Sequence, residues 1–334
     1  MKNDPVASQG PWIIRNAMWL GTVVIVIAYA GFIEWFWGWA VIVERWQQAG
    51  WGAAVIAIAL LLMTYVLRTW RIYDYFPAET KGRFGVLLRL VQVHNLLNIM
   101  MPLRTGEASF PLLMRREFDV PLARSTSALL VMRLFDLHAL LAAAAFGKVI
   151  DLRGEGYGGW IWLLWLGFLV LPAIAFAQSG RAVDMAKRIL PASGKGARLE
   201  RLVEEAAAGL PADKAAFARA WGATLVNWFV KIAVLAWVLV LLCDLDLGAA
   251  FGGGLGGELS SVLPVHAPAG VGTYPAGITA GAIAFGASTK TSALEVLGQA
   301  AVNAHLLVVI SSLVGTALSL LFARAPKANP ADRN

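Results

Sequence analysis

Apolar residues run along this chain in long blocks, each about the ~20 residues a helix needs to cross a bilayer. Unbroken blocks fall at 17–38, 52–70, 125–147, 160–178, 216–243 and 293–322. They predict about six transmembrane helices. Two further apolar stretches are interrupted, one around HNLLNIMMPLRTGEASFPLLMRREF and one from 248 to 286. Polar residues gather in a section at 179–214 and at the two ends. The pattern predicts an all-α integral membrane protein with one polytopic domain over 17–322, an N-terminal segment 1–16, a connector 179–214 and a disordered tail 323–334. Within the connector, ARLERLVEEAAAGL reads as a short surface helix with its charges on the solvated face.

The interruptions carry the most information. Irregular backbone cannot face lipid, because its amides and carbonyls would lack partners. It is tolerated where protein buries it or where it lines a wet cavity. Pro102 stops the incoming helix, and Gly106 is expected to permit a tight turn. The stretch therefore reads as a re-entrant hairpin whose tip lies inside the bundle. The second stretch has Pro268, Gly270, Gly272 and Pro275 in a comparable order, and reads the same way.

Charge sets the orientation. With both hairpins re-entrant and the N-terminus cytoplasmic, cytoplasmic segments hold 20 of the 28 Lys and Arg, and the C-terminus is cytoplasmic too. Arg68 and Arg71 are counted there, at the end of the 52–70 block. The opposite side holds only Arg45, Lys148, Arg153 and Lys290. This is the positive-inside bias. Units 52–147 and 216–322 then run in opposite directions, an inverted repeat of the kind that places transporter sites near the midplane.

Composition agrees. The 334 residues are 58% hydrophobic with mean hydropathy +0.65, and the net charge of +7 is accounted for by orientation rather than nucleic-acid binding. The 14 tryptophans suit bilayer interfaces. Lys2 and Arg15 ahead of an apolar run ending in Ala28-Tyr29-Ala30 resemble a signal peptide. GFIEWFWGWAVIV continues the apolar character, so 17–38 reads as a retained span. The single Cys243 reads as a buried thiol. The run GGGLGGE lacks the lysine of a phosphate loop and follows no strand. No nucleophile elbow, zinc helix or Cys/His cluster is present, so the reading is non-enzymatic, without cofactor or metal.

Ionisable groups at membrane depth cost about 2.5–3.5 kcal/mol each, so their presence marks function. His94, Arg104, Glu107, Arg133, Asp136, His138, Lys231, His266 and His305 all fall in membrane segments. Arg133 and Asp136 are spaced i, i+3 and can pair on one helix face, as can Arg104 and Glu107. An excess of arginine points to an anionic ligand such as a phosphate. A helix beginning near Thr273 offers amides to the same ligand.

The motif residues resemble those of the flippase-like family of the lysylphosphatidylglycerol synthase transmembrane region, which includes hopanoid-associated membrane proteins. Asn98, Pro102, Arg104, Gly106 and Glu107 match its first pattern, Arg133 and Asp136 its R-x-x-D, and Pro268, Gly270 and Gly272 its late segment. The resemblance covers roughly 50–322. Thr273 and Tyr274 follow the last glycine, Pro275 stands where the family has an acid, and Asn303 and His305 lie where its last helix often carries an arginine. The 334 residues are filled by membrane segments, so the resemblance implies translocation of an anionic lipid in a bacterial inner membrane, not aminoacyl transfer. Expected substrate-binding residues are Asn98, Arg104, Gly106, Glu107, Arg133, Asp136, His266, Gly270, Gly272, Thr273 and Tyr274. An ion-coupled transporter of a small anion, an intramembrane enzyme using His94 or His138 as base, and a scaffold for an envelope enzyme are the alternatives. The expected partners are the bilayer and an anionic lipid, with a second copy or an envelope-biosynthesis protein also compatible.

Overall fold

The computed structural model describes residues 12–154, 159–189, 195–262 and 267–322. Every regular element among them is helical. In chain order they are α1 (Trp12–Phe36), α2 (Trp39–Ala49), α3 (Trp51–Tyr75), α4 (Pro77–Thr80), α5 (Phe84–Met100), α6 (Ser109–Phe118), α7 (Leu122–Gly154), α8 (Trp160–Leu169), α9 (Leu171–Ile189), α10 (Lys195–Ala207), α11 (Lys214–Cys243), α12 (Leu247–Val262), α13 (Thr273–Ala284) and α14 (Thr291–Phe322). Short 3-10 segments, Pro102–Ala108 and Pro268–Gly270, separate α5 from α6 and α12 from α13.

Four helices, α3, α7, α11 and α14, are long and apolar enough to cross a membrane. Two bent pairs raise the number to six if each counts as one span: α1 with α2, at 80°, and α8 with α9, at 42°. Gly38, at φ 79°, makes the sharper bend. The block at 17–38 therefore ends in a turn, and α2 runs off at a steep angle to pack on α14 and α11. The connector is mostly helical: α9 extends through its start, and α10 docks on α7, where Ser127 donates to the Ala206 carbonyl at 2.6 Å.

Both interrupted stretches return to the end they started from. Arg83, just before α5, lies over the ring of Phe118 at the end of α6, and Arg89 pairs with Glu117. In the second hairpin, the start of α12 meets the end of α13 at Gly248 and Phe285. Its walls are glycine: Gly252 and Gly256 of α12 face Gly281 and Gly277 of α13. A Cβ on Gly281 would lie 2.1 Å from the Gly252 carbonyl oxygen. The GGGLGGE run is thus a packing surface that lets two helix backbones touch.

The halves repeat. Helices α3, α5, α6 and α7 correspond in order to α11, α12, α13 and α14. Helices α3 and α11 run antiparallel: Asp74 pairs with Arg219 at one end, and Arg45, just before α3, donates to the Leu242 carbonyl at the other. Packing respects the exchange. Helix α5 lies on α14 as α12 lies on α7, and the two 3-10 tips touch each other. The inverted repeat sets two broken hairpins tip to tip inside the bundle.

Candidate functional site

Each tip begins with proline and continues in the left-handed region. Leu103 and Arg104 have φ of 51° and 56°, and Ala269 and Gly270 have 55° and 70°. The shared order is Pro-x-x-x-Gly, from Pro102 to Gly106 and from Pro268 to Gly272. A side chain in this region costs about 1–2 kcal/mol, so Arg104 must be held by its contacts. It donates to the carbonyls of Ser261 and Val262 at the C-terminal end of α12, and to Glu107. A guanidinium suits a helix C-terminus, where carbonyls lack intrahelical partners. Gly106 has an ordinary φ. What it supplies is room: a Cβ there would sit 2.4 Å from the Leu97 carbonyl oxygen.

From Glu107 a chain of ion pairs runs into the bundle. Arg133 Nη2 donates to Glu107 Oε2 at 3.1 Å, and Arg133 Nη1 to Asp136 Oδ2 at 3.2 Å. Asp136 also accepts from Arg71 Nη1 at 2.8 Å and from Trp228 Nε1 at 3.1 Å. Arg71 Nη1 also donates to the Thr224 hydroxyl at 2.5 Å. The chain joins the first hairpin, α7, α3 and α11. His94 stands beside it, its Nδ1 2.9 Å from Ser109 Oγ and its Nε2 3.8 Å from Glu107 Oε2.

The second half supplies a separate group. Lys231 Nζ donates to Glu258 Oε2 at 2.8 Å, and Tyr274 Oη donates to Glu258 Oε1 at 2.5 Å. Glu258 is fully buried. Tyr274 stacks on His305, whose Nε2 lies 2.7 Å from the Ala269 carbonyl oxygen at the tip.

Between the two groups lies a polar cavity of about 60 Å³. By volume it has room for about four waters. Its walls include Arg68, Arg104, Arg133 and Lys231, with Glu258 as the one carboxylate among the described residues, and Asn98, Gly270, Tyr274 and His305. Arg68 Nη1 donates to Asn95 Oδ1 at 2.9 Å. Its buried Nε, and the buried Oδ1 of Asn98, have no hydrogen-bond partner among the described residues. Counting Arg71, five cations in and around the cavity face three carboxylates, Glu107, Asp136 and Glu258. Among the described residues the cations exceed the carboxylates by two. Guanidinium groups with a donor to spare suit an anionic group.

Of the residues singled out in the sequence, Asn98, Arg104, Arg133, Gly270 and Tyr274 line the cavity. Glu107 and Asp136 stand behind it and fix the arginines. Gly106 and Gly272 shape the tips, and the Thr273 hydroxyl is turned back to the Gly270 carbonyl at 3.3 Å. His266 lies outside the described residues. His138 is remote, 2.9 Å from the Phe168 carbonyl and stacked on the Phe168 ring. Sequence reasoning missed Arg68, Arg71 and Glu258. The signal for Glu258 was available: an acid in an apolar run, with a lysine in the preceding span.

The sequence model of the family described as lysylphosphatidylglycerol synthase TM region matches residues 18–315. No curated protein and no solved structure matches the chain.

Proposed function

The chain belongs to the family of the lysylphosphatidylglycerol synthase TM region, and on that premise we propose that it moves an anionic lipid, or a lipid-linked head group, between leaflets. The observation that carries this reading is the cation excess of the cavity between the hairpin tips. The head group's phosphate is taken by Arg68, Arg104, Arg133 and Lys231. Glu107 and Asp136 hold Arg104, Arg133 and Arg71 in place.

Two features favour a lipid over a small dissolved anion. Leu103, next to Arg104 at the first tip, is 66% exposed, so apolar surface lies open beside the guanidinium groups of the cavity. Apolar cavities of about 410 and 630 Å³ share Phe146, Phe229, Ala233 and Phe251 and so form one groove along α11. Its inner end is walled by Trp228, which also walls the polar cavity. A phosphate between the tips thus sits beside a surface suited to an acyl chain. On this reading the protein lies in a bacterial inner membrane with both termini in the cytoplasm, an orientation that the Lys and Arg bias supports.

Native mass spectrometry tests the head-group preference. Wild-type protein released from mixed micelles is expected to retain phosphatidylglycerol over phosphatidylcholine by about tenfold, a difference of ~1.4 kcal/mol. Arg68→Gln is expected to lose most of that preference while the fold persists, because among the described residues Arg68 has no carboxylate ion-pair partner to orphan. Equal retention of both lipids by the wild type contradicts the proposal.

A further inference from the structure

We infer that Glu258 is a proton site that exchanges Lys231 for a proton when the anionic ligand binds, so that anion and proton are carried together. The inference rests on the reading of the cavity as a lipid-phosphate site, and it concerns what drives the movement. Three carboxylates serve the network, but they are held differently. Glu107 and Asp136 are each bonded to two arginines, which keep their protons at any working pH. Neither lines the cavity. Glu258 does, and among the described residues its only charged partner is a lysine. Lysine is a mobile point charge on a flexible stem, and its three donors can turn from one acceptor to another.

An anion between the tips is a neighbour of Glu258 and draws on the same ammonium. The arginines of the cavity are not bonded to Glu258, so when Lys231 turns to the anion this fully buried carboxylate is left beside a second negative group with no bonded cation, and a proton takes the place of the ammonium. The step then balances as follows. Lys231 keeps its three hydrogens and turns from Glu258 Oε2 to a phosphate oxygen. A proton from water bonds to the freed Glu258 oxygen. Release of the lipid reverses both changes. No covalent bond to the lipid forms or breaks, and one proton is bound per anion.

The surroundings of Glu258 fit this exchange. Tyr274 of α13 stays hydrogen-bonded to Oε1 in either protonation state. Tyr65 of α3 and His305 of α14 line the cavity near Tyr274, and the ring nitrogen of His305 is engaged at the Ala269 carbonyl. Arg104 from the first tip and Arg133 of α7 face the same space with their guanidinium groups tied to Glu107. Lys231 is thus the partner most easily withdrawn.

Proton uptake on binding decides the matter. Dihexanoyl phosphatidylglycerol is titrated into the full chain in detergent, by calorimetry in two buffers of different protonation enthalpy. The wild type is expected to take up about one proton per lipid bound near neutral pH. Glu258→Gln, and the double variant Lys231→Met with Glu258→Gln, are expected to take up none. The double variant guards against an orphaned Lys231 unfolding the single one. Lipid binding by the wild type without uptake overturns the inference, as does uptake that persists in the double variant. Absence of lipid binding by the wild type instead overturns the reading of the cavity on which the inference rests.

Discussion

Asp136→Ala is expected to destabilise the protein by about 3–5 kcal/mol, the cost of breaking a buried ion pair from one side. Asp136 is 1% exposed, and Arg71, its closest partner, 4%. The carboxylate accepts from Arg71, Arg133 and the Trp228 indole. Its removal leaves Arg71 with the Thr224 hydroxyl and without its counter-charge, at a buried position. Unfolding in mixed micelles with increasing dodecyl sulfate measures the loss. The comparison is Asp74→Ala, which breaks the more exposed pair with Arg219 and is expected to cost no more than about 1 kcal/mol. Equal losses for the two variants would show that the buried chain of ion pairs does not tie α3, α7 and α11 together.

Gly281→Ala carries the second large effect. A single methyl group at 281 would stand 2.1 Å from the Gly252 carbonyl oxygen and 2.9 Å from the Gly256 Cα. Both obstacles are backbone, so no side-chain rotation relieves them. Helices α12 and α13 have to move apart, at a cost of about 1–3 kcal/mol or more. The shift also parts Tyr274 on α13 from Glu258 on α12. Gly222→Ala is the control, since a Cβ at Gly222 meets nothing within 4 Å; it is expected to be neutral or slightly stabilising. The two variants are compared by unfolding midpoint and by retention of phosphatidylglycerol. Gly281→Ala loses both, and Gly222→Ala loses neither.

The chain declared its fold through block length and through its two interruptions. Long apolar runs leave no choice but helices in lipid, and proline followed by glycine in such a run marks backbone that needs shelter. The pairs Arg104 with Glu107 and Arg133 with Asp136 were also legible, because i, i+3 spacing is a local property. Arg68 and Arg71 were not. They end an apolar block and follow the positive-inside pattern, so they counted as charges at the membrane surface. Their burial depends on which side of α3 meets α7 and α11, and nothing local in the sequence states that. Glu258 was hidden in a run of glycines that invited comparison with a phosphate loop. Those glycines serve α13, and the acid among them serves the cavity. At Gly106 the residue was legible but its reason was not: the left-handed turn falls on Leu103 and Arg104, while Gly106 yields space to Leu97 and Asn98.

The central claim is that an anionic head group crosses between the two hairpin tips. Reconstituted vesicles test it most directly. Fluorescent phosphatidylglycerol and phosphatidylcholine are supplied in both leaflets, and dithionite bleaches the label that reaches the outer one. With wild-type protein, bleaching of phosphatidylglycerol is expected to pass the half-way level that empty vesicles show and to run well ahead of phosphatidylcholine. With Arg68→Gln it is expected to fall back to that level. Movement of both lipids at one rate, or movement of phosphatidylglycerol that survives Arg68→Gln unchanged, would contradict the assignment of the path to this cavity.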